Sequence, residues 1–157
     1  MRTIKPAPVR RSVEVQASPE RAFEVFASGI GRWWPPSHTI GKGKLKTVVI
    51  EPQVGGRWYG EDEDGATTEW GQVLAFEPPS RLLLAWQISS DWRFDAQIVT
   101  EVELRFTPIA AGITRVELEH RNLERLGPKL EEARAALESP NGWGAIMKLY
   151  AITAEAA

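Results

Sequence analysis

Cysteine is absent from the sequence, which excludes disulfides and thiolate chemistry and is compatible with a reducing cytoplasm, where the protein is expected. An excess of either charge is absent too. The formal net charge of −2 supplies no basic field, so a nucleic acid partner is not expected. No apolar run approaches the ~20 residues of a membrane span. The opening "MRTIKPAPVR" is basic but lacks the apolar stretch of a signal peptide, and residues 1–10 read as a flexible lead-in. There is no internal repeat and no dividing linker, so residues 11–157 are expected to form one domain, long enough to bury a core. The two histidines lie far apart, with no cysteine beside them and no HExxH spacing. They make no case for a metal, and no cofactor is expected. "GIGRWW" and "GKGKLK" lack the strand-to-helix setting of a phosphate loop, and no nucleophile elbow supports a serine triad.

What the chain has in excess is tryptophan, seven residues in all. Tryptophan is costly to leave wet and its N–H needs a partner when buried. Seven in one domain imply a very aromatic core, an aromatic-lined cavity, or both. Two are adjacent, Trp33 and Trp34 in "IGRWWPPSHTIG", and Pro35 and Pro36 follow at once. Neighbouring side chains diverge in a helix or a strand, so one core does not easily take both. Either one is exposed, or the stretch crosses the mouth of a hole that one of them lines. A single helical turn can form before Pro35, which pushes Trp34 out of the α region.

Periodicity sets the remaining elements. Residues 11–16 alternate as a strand. Residues 17–28 are a helix, with Ser18 as N-cap, Pro19 in the first turn, and Ala22, Phe23 and Phe26 on its apolar face. Strands follow at 46–52, 57–62 and 67–78, the last with Gly71 as a bulge. Three more lie at 81–88, 98–108 and 113–122. The last two alternate cleanly, so the sheet has one dry and one wet face, as antiparallel sheets do. Helical spacing returns at 127–139 and again at 139–156, where Trp143, Ile146, Met147, Tyr150 and Ala154 form one stripe and Ser139 or Asn141 can cap. The fold class is α+β. A sheet of six or seven strands curls, and a straight helix laid across it stands off in places, where a cavity can open.

The ordered string "SPERAFEVF", "GRWWP", "VVIEPQVGGRWY", "EWGQVLAFEPPSRLLLAWQ", "GITRVELEHRNLERLG" and "NGWGAIMKL" resembles the START-like (SRPBCC) superfamily. Within it the chain is similar to the branch named after the activator of Hsp90 ATPase, over roughly residues 11–155. The resemblance implies a helix-grip fold: a curved antiparallel sheet wrapped around a long C-terminal helix, with an internal apolar cavity. It leaves function open, because this fold hosts lipid carriers, cyclases, hydrolases and co-chaperone modules.

The candidate pocket residues follow from the dry face and the aromatics. Trp33 and Trp34 are the candidate gate, with Trp58 and Trp86 from the strands. Val102, Leu104, Val116 and Leu118 serve equally as core and as cavity floor. Trp143, Met147 and Tyr150 supply the helix side, and the Tyr150 hydroxyl needs a partner if buried. His120 shares the inward parity, as an acid, base or ligand anchor, or as a strand-end histidine bonded to backbone. His38 lies at a portal or, more simply, in solvent, and Glu61 and Asp62 read as solvated turn residues. Arg57, Tyr59 and Glu69 form an internal polar cluster or an outer ion pair, depending on how the Gly71 bulge re-aims the strand. The first expectation is a small-molecule binding protein whose partner is hydrophobic; a homodimer is also open. The alternatives are an enzyme of hydrolase, cyclase or lyase type in the same cavity, using His120 or Tyr150 with an Arg/Glu pair, and a chaperone-interaction or stress-response module. The eukaryotic Hsp90 activator has a further N-terminal domain for which this chain has no room, which ranks the last alternative third.

Overall fold

The computed structural model describes residues 6–156. In chain order the elements are β1 (Val9–Val15), α1 (Pro19–Phe26), β2 (Leu45–Ile50), β3 (Arg57–Asp62), β4 (Thr67–Glu77), β5 (Arg81–Trp86), β6 (Thr100–Ala110), β7 (Ile113–Arg121), α2 (Leu130–Glu138) and α3 (Trp143–Glu155). The seven strands form one antiparallel sheet in the order β1-β7-β6-β5-β4-β3-β2. This is the curled sheet with a long C-terminal helix that the patterning and the resemblance imply. β1 starts before the expected residue 11, because Val9 pairs with His120 and is buried. Of the expected lead-in, residues 1–5 lie outside the described residues.

The period-two alternation on β6 and β7 does what it predicts. Thr100, Val102, Leu104 and Phe106, with Thr114, Val116, Leu118 and His120, are all buried on the concave side. The convex side carries an ion-pair lattice. Glu103 accepts from Arg81 at 2.5 Å and Arg121 at 2.8 Å, with Arg105 at 3.0 Å. Burial works against its charge, but these guanidinium groups hold the carboxyl below the usual carboxylate range.

The sheet curls where its ladder is interrupted. Trp58 pairs with Gly71 and Tyr59 with Glu69, which leaves Trp70 as the extra residue of a bulge. The bulge turns Trp70 inward and buries it. Gly71 is required there, because a Cβ would run into the Ala85 carbonyl oxygen of the neighbouring strand. Gly71→Ala is therefore expected to cost about 2 kcal/mol, since backbone is slow to yield to an inserted methyl group. Urea unfolding of the variant checks this, and an unchanged midpoint would contradict it.

On the concave side, Ser18 caps α1 by accepting the Arg21 N–H at 3.2 Å. α3 buries the expected stripe of Trp143, Ile146, Met147, Tyr150 and Ala154 against the sheet and α1. The Tyr150 hydroxyl donates to the Ala22 carbonyl at 2.7 Å, fastening α3 to α1. Arg21 donates to the Ala154 carbonyl at 2.9 Å, satisfying the end of α3. The cap of α3 differs from expectation. Gly142 occupies that position with no side-chain bond, and the Ser139 hydroxyl instead donates to Ala136 at the end of α2. The turn between α2 and α3 is so tight that a Cβ at Gly142 would strike the Leu137 carbonyl.

Candidate functional site

Both adjacent tryptophans are buried, so of the two expected alternatives the exposed one does not hold, and the stretch lies instead beside a cavity that Trp34 lines. Trp33 is 5% exposed and Trp34 is 7% exposed. They lie just after a 3₁₀ turn (Ile30–Arg32), outside any extended helix or strand, so neither regular periodicity governs them. The two indoles touch, ring centroids 6.0 Å apart, and beyond that contact each has its own neighbours. Trp33 packs against Phe26 at 5.1 Å and Tyr150 at 5.3 Å, and its Nε1–H donates to the Val25 carbonyl at 2.8 Å. Trp34 meets Trp70 at 5.3 Å and Trp143 at 6.1 Å, and its Nε1–H donates to the His38 carbonyl at 2.8 Å.

Trp34 borders a cavity of about 330 Å³. Five of the seven tryptophans line it: Trp34, Trp70, Trp86, Trp92 and Trp143. Ile40, Ile88, Leu137 and Ile146 complete the apolar wall. The polar lining residues Ser37, His38, Thr39, Ser139 and Asn141 come from two loops at the rim. His38 ties these loops together, which corrects its placement in solvent. Its Nε2 lies 2.6 Å from the Asn141 carbonyl, an acceptor only, so Nε2 carries a proton and donates, and Nδ1 pairs with the Ser37 hydroxyl at 2.9 Å.

The structure brings three of the sequence-derived candidates, Trp34, Trp86 and Trp143, to the cavity wall. It places the others elsewhere. Trp58 stands behind the wall, edge-on to Trp86 at 5.7 Å and Trp70 at 5.9 Å. Val102, Leu104, Val116, Leu118 and Met147 are buried in the core between sheet and α3. Trp33 and Tyr150 join Phe23, Phe26 and Phe106 in an aromatic cluster that fills the other end. The tryptophan cavity thus lies at the N-terminal end of α3, while these rings pack around Tyr150 farther along the helix.

The sequence patterns missed two of the five wall tryptophans. Trp70 owes its inward aim to the bulge, which shifts parity, and the nearby Gly71 was its only signal. Trp92 lies in the connection between β5 and β6, where no periodicity operates.

His120 is 0% exposed and sits behind the wall. Indole N–H can only donate, so Trp143 Nε1, at 3.1 Å, makes His120 Nδ1 an acceptor. The proton is then on Nε2, which donates to Thr100 Oγ1 at 2.8 Å, and that hydroxyl donates to the Trp86 carbonyl at 3.2 Å. His120 is therefore bonded to side chains and positions two wall residues, instead of being the half-wet, backbone-bonded histidine expected of a strand end. Burial pushes its pKa down to about 3. Tyr150 is pushed up by burial and is occupied by Ala22. Arg57 donates to Glu69 at 2.6 Å and lies 4.0 Å over the Tyr59 ring, all on the outer face. These groups do not converge on one void, which corrects the acid–base constellation drawn from them. Asp62 is also corrected: it is buried, and it accepts the Gly43 N–H at 3.0 Å, tying down the glycine-rich loop.

Comparison with known proteins agrees with this architecture. The anthrahydroquino-γ-pyrone synthase Txn09, solved in complex with SUM, is 39% identical over 94% of this chain and 97% of its own, with a TM-score of 0.66. The self-sacrificing resistance protein CalC from Micromonospora echinospora is 29% identical over 94% of each chain, with a TM-score of 0.70. Protein NE0264 from Nitrosomonas europaea shares the fold at 15% identity, covering 94% of each chain with a TM-score of 0.65. No curated protein sequence matches. Among the described residues, no helix is long and apolar enough to cross a membrane. The family described as activator of Hsp90 ATPase homolog 1-like protein matches residues 16–151, nearly the whole span of sheet and helices just described, and the chain belongs to that family.

Proposed function

We propose that the protein binds a planar, multi-ring aromatic molecule in the tryptophan cavity, with the guest's polar substituents turned toward the rim. The observation that carries this is the division of the lining: four buried indoles inside and a fifth, Trp92, at the mouth, with serine, threonine, asparagine and histidine only on the rim loops. Flat guests gain from stacking and edge-on contacts with such walls. A volume of about 330 Å³ lies at the lower end of ligand sites, which suits a compact fused-ring system. The name of Txn09, at 39% identity, carries a fused aromatic ring system and supports the same ligand class. Binding is favoured over acid–base chemistry because the only titratable side chain on the described wall is His38, whose two ring nitrogens are already engaged.

The test is a titration with anthraquinone-2-sulfonate, following tryptophan emission and thermal unfolding together. Saturable quenching is expected, and at a hundredfold excess over Kd a gain in stability of about 2.7 kcal/mol. A panel of fused-ring aromatics that gives neither saturable quenching nor a thermal shift would overturn the proposal.

A further inference from the structure

Trp92 differs from the other six tryptophans in two respects. It is 42% exposed, whereas they are buried. Its φ of 59° lies in the left-handed region, which bulky L residues rarely adopt. It nevertheless reaches the cavity mouth. It sits at the tip of a short hairpin, closed by the Ile88–Phe94 bridge and by the bonds Ser89 N–H to Arg93 carbonyl at 2.8 Å and Trp92 N–H to Ser89 carbonyl at 2.9 Å. Glycine or asparagine fills such a turn position without strain.

The indole is not what holds this tip in place. Ser90 is buried, its N–H donates to the Leu126 carbonyl at 2.7 Å, and its hydroxyl oxygen accepts the Lys129 N–H at 3.0 Å. Asp91 adds an ion pair with Lys129 at 3.3 Å. A rigid bracket therefore presents a large, half-wet ring in an unfavourable backbone conformation at the edge of an aromatic cavity. Strain of this kind persists where the surroundings over-determine it, and it marks sites where the side chain has another use.

We infer that Trp92 is the outer stacking platform of the ligand site, covering the face of the guest that the four inner tryptophans leave exposed. This rests on the proposal that the cavity takes a planar aromatic guest. Trp92 contributes to affinity and little to the fold.

The test compares Trp92→Gly and Trp92→Phe with the wild type. Glycine adopts the left-handed conformation freely, so Trp92→Gly is expected to melt at the wild-type temperature or above it. Its Kd for anthraquinone-2-sulfonate is expected to weaken at least tenfold. Trp92→Phe keeps a ring and is expected to stay within about threefold of wild-type affinity, in line with a stacking role. The emission difference between wild type and Trp92→Phe isolates the ring. Acrylamide is expected to quench it in the free protein and to lose access when the probe is bound. Wild-type affinity in Trp92→Gly overturns the inference and leaves the cavity proposal standing. So does a clear drop in melting temperature, which would make Trp92 a structural residue. A wild type that binds no planar probe removes the cavity proposal itself, and this inference with it.

Discussion

Trp34→Ala is expected to destabilise the protein by about 3–5 kcal/mol and to abolish uptake of planar aromatics, whereas Trp33→Ala is expected to cost a similar amount and leave uptake intact in the folded fraction. The two residues are neighbours in sequence and equally buried, so volume and transfer free energy are matched. Their surroundings are not. Trp34 contacts Trp58, Trp70 and Trp143 and forms part of the cavity wall. Trp33 touches Trp34 but is otherwise packed with Phe26 and Tyr150, and it does not itself line the cavity. Urea unfolding measures the first quantity, and anthraquinone-2-sulfonate titration of the folded variants measures the second. A loss of several kcal/mol is a large share of the stability of a typical domain, so Trp34→Phe is the companion variant that keeps the fold. Equal loss of binding in both alanine variants would show that the division between wall and filler drawn here is wrong.

Acidification is expected to act through His120. In the folded protein the ring is sealed, neutral and fully bonded, and its pKa is about 3 against an ordinary 6.5. In the unfolded chain it takes up a proton as the pH falls through its ordinary value. Between those two limits the unfolded state binds more protons, so stability falls as pH falls and is fully present only above pH 6.5. One titrating group gives a slope of about 1.4 kcal/mol per pH unit, which amounts to about 2 kcal/mol by pH 5 and roughly 4 kcal/mol by pH 3. Glu103 and Glu119 are held below the usual carboxylate range by their arginine partners, against the pull of burial, so their contribution is lost only below about pH 4.5. The interval above that belongs to His120. His120→Gln can still accept from Trp143 and donate to Thr100, and it is expected to flatten the stability profile between pH 7 and 5. Urea midpoints across this range are the measurement, and a flat wild-type profile would contradict it.

Much of this architecture is legible in the residues. The strands declare themselves through unbroken alternation on 98–108 and 113–122, because side chains of a strand must go to opposite faces. Ser18 and Pro19 announce α1, since the first N–H groups of a helix need an acceptor and proline has none to satisfy. The stripe from Trp143 to Ala154 announces α3. The candidate wall was legible only where it lies on such elements, at Trp86 and Trp143, and at Trp34 through its company of prolines.

The sequence alone thus determined which segments are strands and helices, and which of their faces are dry, because both follow from local periodicity. The tertiary structure alone decided the aim of Trp70 and of the Arg57–Glu69 pair, the burial of both Trp33 and Trp34, and the display of Trp92. Each of these lies at a bulge, a 3₁₀ turn or a hairpin tip. There the periodicity breaks, and the direction of a side chain is set by backbone bonds to residues far away in the chain.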